Sequence, residues 1–140
     1  MNLNRIFVYG TLCQGYSGHH HLAADLTAPP VEAELTDHRL YNAGHYPLMD
    51  SAGPDHVVKG QILTIDPARL DAVLARLDDY EDAHGPNPMY HRVIVLARML
   101  TDPPQPTRAW TYRLNPTHWH VATLPPIPND DWRGIAHRAE

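Results

Sequence analysis

Four carboxylates lie close together at Asp78, Asp79, Glu81 and Asp82, and a carboxylate held in apolar surroundings is a proton-transfer group. Helical phase decides which of them faces inward. The apolar residues just before them, Leu70, Val73, Leu74 and Leu77, are spaced i, i+3, i+4, i+7, the stripe of a buried helix face. With Leu70 at zero and about 100° per residue, the other three lie at roughly 300°, 40° and 340°, and Glu81 at roughly 20°. Asp79 lies opposite, with Asp78 and Asp82 on the flanks. If the helix runs one more turn, Glu81 alone of the four points into the core, where desolvation raises its pKa toward the range useful near neutral pH. If the helix ends by Asp79, Glu81 is a solvated loop residue.

A second candidate is the loop Tyr9-Gly10-Thr11-Leu12-Cys13-Gln14-Gly15-Tyr16-Ser17. Gly10, Gly15 and Ser17 have the spacing of a nucleotide-phosphate loop, but Tyr16 stands where that motif needs lysine, which argues against nucleotide binding by this route. A glycine at a strand end lets backbone approach a ligand, and successive N–H groups there can form an anion nest. A tight turn in which Gly10 only supplies a positive φ is the alternative. His19, His20, His21, His118 and His120 have no metal-site spacing, and neighbouring histidines of a helix point in different directions, so no metal is expected. Cys13, the single cysteine, reads as a small buried thiol.

These groups must be positioned by the surrounding elements. Ile6-Phe7-Val8-Tyr9 reads as a central strand ending in a turn at Gly10, and Gly18 to Leu26 as a short helix capped by Ser17. Strands are expected at Val31 to Thr36, Arg39 to Asn42 and Val57 to Ile65, in an antiparallel meander. The long helix spans Pro67 to about Tyr80, with Asp66 at the N-cap and Pro67 at the first helical position. Tyr90 to Met99 reads as a strand covered on both faces, and Arg108 to Leu114 as another. The stretch Pro116 to Glu140 carries Pro125, Pro126 and Pro128 and reads as an extended arm with a last helical turn. The expected division is therefore one domain over residues 1–115 with an arm, 116–140, packed on it. Strands, one long helix, then more strands argue an α+β fold with a mixed, mostly antiparallel sheet.

The 140 residues are enough for one domain with its own core. Sixteen acidic residues against eleven Lys and Arg give a net charge of -5 without any basic block, the wrong sign for a phosphate-backbone binder. No apolar run approaches the ~20 residues of a membrane helix, and the first strand leaves no room for a secretory segment. Neither nucleic acid nor membrane is an expected partner, and a cytoplasmic location is expected.

In order and spacing, these segments resemble the γ-glutamyl cyclotransferase-like superfamily, AIG2-like family. Phe7-Val8-Tyr9-Gly10-Thr11-Leu12 is similar to its YG[ST]L substrate loop, and Leu40-Tyr41-Asn42-Ala43-Gly44-His45-Tyr46-Pro47 to its glycine-tyrosine-proline turn, with His45 replacing a common glycine. Val58-Lys59-Gly60-Gln61-Ile62 resembles the VxGE strand, with Gln61 in place of the usual Glu. Leu77-Asp78-Asp79-Tyr80-Glu81 resembles the LDxxE segment that carries the family's catalytic acid/base, and Tyr90-His91-Arg92 and Ala109-Trp110-Thr111-Tyr112 resemble the two strands that follow.

The resemblance implies a barrel-like sheet of about six strands with one long and one or two short helices, and a cavity between the YGTL loop and Glu81. It implies a small-molecule γ-glutamyl substrate whose α-amine attacks its own γ-carbonyl, closing 5-oxoproline and expelling an amine. The nucleophile is intramolecular, so no metal or cofactor is implied. Glu81 would take and return the proton. The N–H groups of Gly10, Thr11 and Leu12 would hold either the α-carboxylate or the developing oxyanion. Tyr9, Tyr46, Tyr90 and Tyr112 would fold the substrate toward closure as walls or hydroxyl donors. A module that binds a small amino-acid-like ligand in the same cavity and releases it unchanged is the second reading.

Overall fold

The computed structural model describes residues 3–44, 46–83, 85–119 and 123–134. Among them are seven strands and one α-helix: β1 (Arg5–Val8), β2 (Val31–Thr36), β3 (His38–Asn42), β4 (Pro47–Ser51), β5 (Val57–Thr64), α1 (Leu70–Tyr80), β6 (Tyr90–Met99) and β7 (Gln105–Leu114). Five strands close into a barrel in the order β1-β5-β2-β6-β7. The neighbouring pairs along this order are antiparallel, and a parallel contact of Ile6 with Trp110 joins β1 to β7 and closes the ring. The expected α+β class and mixed barrel-like sheet are observed.

The meander is replaced by a nested arrangement. β2 pairs with β5, while β3 and β4 form a hairpin of their own, with Leu40 opposite Met49. β4 was not expected, because its first residue is Pro47 and its neighbours are turn formers. Proline is tolerated at that position because the first residue of a strand need not donate to the ladder.

β1 is the partition between two packed groups. Ile6 and Val8 join the helix stripe Leu70, Val73, Leu74 and Leu77, all of it buried. Phe7 and Tyr9 face Ala33, Leu35, Val58, Ile62, Ala97 and Ala109. A strand covered on both faces explains why its sequence is an uninterrupted apolar run. The same expectation fails for β6, where Ile94 is 43% and Leu96 65% exposed. Among the described residues no element covers that outer face at these positions, and the side chain of the neighbouring Arg92 lies over the Trp110 ring, 5.0 Å from its centroid.

The helix begins as expected: the Asp66 carboxylate accepts the Ala68 N–H at 3.0 Å, and Pro67 opens a single tight turn before α1. Its far end is a Schellman motif. The Asp82 N–H donates to Asp79 O and the Ala83 N–H to Asp78 O, with Asp82 in the left-handed region at φ 52°. Glu81 keeps helical dihedrals and its N–H donates to Leu77 O at 2.8 Å, so the helical phase extends to this residue.

The expected helix over 18–26 is instead two short 3-10 turns, His19–His21 and Ala23–Asp25, and Ser17 caps neither. His19 and His20 turn their Nδ1 atoms onto Leu12 O and Ser17 O, local bonds that compete with a continuous helix. The C-terminal stretch lies along β3. Tyr41 bridges to Pro126, the Ile127 N–H donates to Leu40 O, and Asp130 accepts the Leu40 N–H, while Ile127 and Trp132 are buried. Among the described residues, no helix is long and apolar enough to cross a membrane.

Candidate active site

β1 ends at Val8, and the chain turns away from the barrel through Tyr9 and Gly10 into a loop tied by its own backbone. The Cys13 N–H donates to Gly10 O, the Tyr16 N–H to Cys13 O and the Gly18 N–H to Thr11 O. The N–H groups of Gly10, Thr11 and Leu12 meet no acceptor among the described residues. Gly10 does not have positive φ, which overturns the reading of it as a left-handed turn residue; Gly15, Gly44 and Gly85 are the described glycines that do. A Cβ at Gly10 would stand 2.7 Å from Pro47 Cγ and 2.9 Å from Pro47 Cδ. It is the ring of β4's first residue that requires glycine there.

Tyr9, Gly10, Thr11, Leu12, Tyr46, Glu81, Tyr90 and Tyr112, all singled out by sequence, line one cavity together with Phe7, Val8 and Pro47. Its inner part is narrow, about 30 Å³, room for about one water-sized group. It opens past Thr11, Tyr46, Glu81 and Tyr90 into an outer chamber of about 310 Å³ that is also lined by Ser17, Tyr80 and Met89. Of these last three, Tyr80 is the one that the sequence did not single out as ligand-facing. Tyr80 precedes the key glutamate in sequence and bonds across the mouth, its hydroxyl 2.7 Å from Thr11 Oγ1.

Glu81 sits at the junction of the two chambers. Among the described residues no side chain donates to its carboxylate, and burial pushes its pKa up to about 7. Its neighbours on the helix behave differently. Asp78 accepts the Tyr112 hydroxyl at 2.6 Å and pairs with Arg92 at 3.4 Å, while Asp79 and Asp82 are exposed.

Three of the four tyrosines are walls. The Tyr9 hydroxyl donates to Tyr112 O, Tyr90 to Pro47 O at 2.9 Å, and Tyr112 to Asp78. Burial, reinforced by the nearby Glu81 charge, holds all three pKa values above the usual phenol range. Each is therefore a neutral hydroxyl whose proton is already engaged. Tyr46 packs edge-on against Trp119, centroids 6.2 Å apart, and its hydroxyl makes no hydrogen bond among the described residues.

Cys13 is buried, and that burial pushes its thiol up to about 12, far from the thiolate a nucleophile needs. The described residues contain no cluster of three or more metal-ligating side chains; His120 lies outside them.

The model of the gamma-glutamyl cyclotransferase, AIG2-like family matches residues 6–134. The chain belongs to this family. An AIG2-like protein from Mus musculus is similar over 100% of this chain and 98% of its own, with 23% identity and a TM-score of 0.74. YkqA from Bacillus subtilis is similar over 95% of this chain, with 23% identity and a TM-score of 0.69; this chain spans 40% of YkqA. A gamma-glutamyl cyclotransferase with 16% identity and a TM-score of 0.61 is similar over 91% of this chain and 73% of its own. No curated protein matches the chain. At these identities the likeness to the solved structures is one of fold.

Proposed function

We propose that this family member is a cofactor-independent γ-glutamyl cyclotransferase, converting a γ-glutamyl amide or peptide to 5-oxoproline and a free amine. The observation that carries this reading is Glu81: a carboxyl group without a side-chain donor among the described residues, at the junction of two chambers, with a pKa of about 7. Such a group exchanges a proton readily near neutral pH.

In this mechanism Glu81 takes a proton from the substrate α-ammonium. The freed amine attacks the γ-carbonyl, forming the new C–N bond of the five-membered ring and placing negative charge on the carbonyl oxygen. The N–H groups of Gly10, Thr11 and Leu12, which have no acceptor among the described residues, are the donors for an anion here, either that oxygen or the α-carboxylate. Collapse of the intermediate breaks the bond to the leaving nitrogen, which receives the proton from Glu81; the ring nitrogen then gives its second proton back to Glu81 and on to the released amine, so the products are the neutral lactam and an ammonium ion. The tyrosine walls and Pro47 leave the inner chamber room for only a small group of the substrate, held beside the loop amides, while the rest of the substrate lies in the outer chamber. The leaving amine occupies the outer chamber, against Tyr46, Tyr80 and Met89.

Incubating the purified protein with a panel of γ-glutamyl amines and peptides and measuring 5-oxoproline tests the reading. Stoichiometric 5-oxoproline and amine from at least one compound is the expected result. A compound that binds the cavity and is recovered unchanged from the whole panel would favour the binding-module reading instead.

A further inference from the structure

Bare N–H groups in a loop serve an anion only if the loop is held still, and the loop's internal bonds fix its shape without attaching it to the barrel. That attachment is a circuit of side chains outside the cavity. The Gln14 N–H donates to Gln61 Oε1 on β5 at 2.9 Å, and Gln61 Nε2 donates to Glu32 Oε2 on β2 at 2.9 Å. Arg133, from the C-terminal stretch, donates through Nη1 to both Glu32 oxygens at 2.8 and 3.0 Å. Its guanidinium is oriented by Asp131, which accepts from Nε at 3.1 Å. The circuit returns to the loop where the Tyr16 hydroxyl donates to Arg133 O at 3.4 Å.

Gln61 is the unusual member. It is a buried amide, 6% exposed, on a strand whose other inward positions are apolar, and an unpaired buried amide is costly. Both of its polar ends are matched here, one by a backbone donor and one by a carboxylate. A carboxylate at this position could accept from Gln14 but could not donate to Glu32, and would set two carboxylates at hydrogen-bond distance.

We infer that Gln61, Glu32 and Arg133 are positioning residues that brace the substrate loop, making the C-terminal stretch a working support of the active site. The inference concerns ligand affinity only insofar as the cyclotransferase reading holds; the bracing itself does not depend on it.

The experiment compares wild type, Q61E, the exchanged pair Q61E/E32Q, and R133M. Amide hydrogen exchange is followed in the peptide covering residues 10–17. Affinity is measured for a glutaramate, a γ-glutamyl amide without its α-amine and so unable to cyclise. Q61E should speed exchange in the loop and weaken glutaramate binding by about tenfold each. The exchanged pair should recover to within about threefold, because the amide moved to β2 can then donate to the carboxylate moved to β5. R133M should loosen the loop by a smaller factor, with wild-type exchange in β5. Wild-type loop exchange in Q61E, or an exchanged pair no better than Q61E, would overturn the brace. Wild-type loop exchange in R133M would overturn the part assigned to the C-terminal stretch. Exchange is read without turnover, so a protein that makes no 5-oxoproline fails the functional reading and leaves this comparison standing.

Discussion

Within the cavity lining, Tyr9, Tyr90 and Tyr112 each give their hydroxyl proton to the protein. By contrast, the amides of Gly10, Thr11 and Leu12 and the carboxylate of Glu81 have no hydrogen-bond partner among the described residues. The tyrosine set is built for shape: its polar atoms are satisfied, so substitutions there act on packing and stability. The loop-and-glutamate set keeps its polar atoms unpaired at a cost in stability, as expected where groups are reserved for a ligand. The same contrast separates Asp78 from Glu81, three residues apart on one helix, the first engaged by Tyr112 and Arg92 and the second by neither.

The largest effect should come from removing the unpaired carboxylate. Glu81→Gln should lower turnover by ~10²–10⁴, about 3–5 kcal/mol of barrier, while Asp79→Asn, at an exposed position, should stay within about twofold of wild type. Steady-state 5-oxoproline assays compare them, and equal losses in both would erase the distinction between the two carboxylates.

Gly10→Ala comes next. Its methyl would stand 2.7 Å from Pro47 Cγ, and overpacking of this kind costs about 1–3 kcal/mol. Because Pro47 is itself cavity wall, melting temperature and glutaramate affinity should fall together. An unchanged affinity would detach the loop from the ligand site.

The glutamate's cost should also be visible as pH-dependent stability. Its folded pKa of about 7 lies above the ordinary 4.5, so between those values the folded state holds more protons than the unfolded. Stability therefore falls as pH rises from about 4.5 to 7, by on the order of 3 kcal/mol from this group. Glu81→Gln lacks this loss, so its melting temperature should gain on wild type between pH 5 and pH 8. A constant difference across that range would show that the Glu81 carboxyl is not desolvated.

The smallest effect belongs to the tyrosine set. Tyr90→Phe leaves Pro47 O unpaired and should cost about 1–3 kcal/mol of stability, with kcat/KM within about threefold of wild type. A hundredfold loss of kcat/KM with an unchanged melting temperature would make Tyr90 a reacting group and break the contrast.

The helix and its inward glutamate were legible because a stripe of four apolar residues carries its phase forward to Glu81, and the Schellman end at Asp82 preserves that phase. The cavity walls were legible as family-like motifs in order along the chain. Other features depend on contacts that no local pattern records. Gly18 to Leu26 has helical composition, but histidine side chains bond to nearby carbonyls instead. β4 begins at a proline that reads as a turn, and β6 carries an apolar pattern without a covering layer among the described residues. The brace was beyond reach for the same reason, since Gln61 meets Glu32 twenty-nine residues away and Arg133 meets Glu32 across 101. Gln61 drew notice only as a departure from the usual glutamate.

The central claim is that Glu81 moves the proton in ring closure. The most direct measurement is the pH dependence of kcat/KM for 5-oxoproline release from one γ-glutamyl amine, in wild type and Glu81→Gln. The account predicts a rate that climbs about tenfold per pH unit below neutrality and breaks near pH 7 in wild type, with that break absent and the rate at least about 100-fold lower in the variant. A wild-type break near 4.5, or the same profile in both proteins, would contradict it.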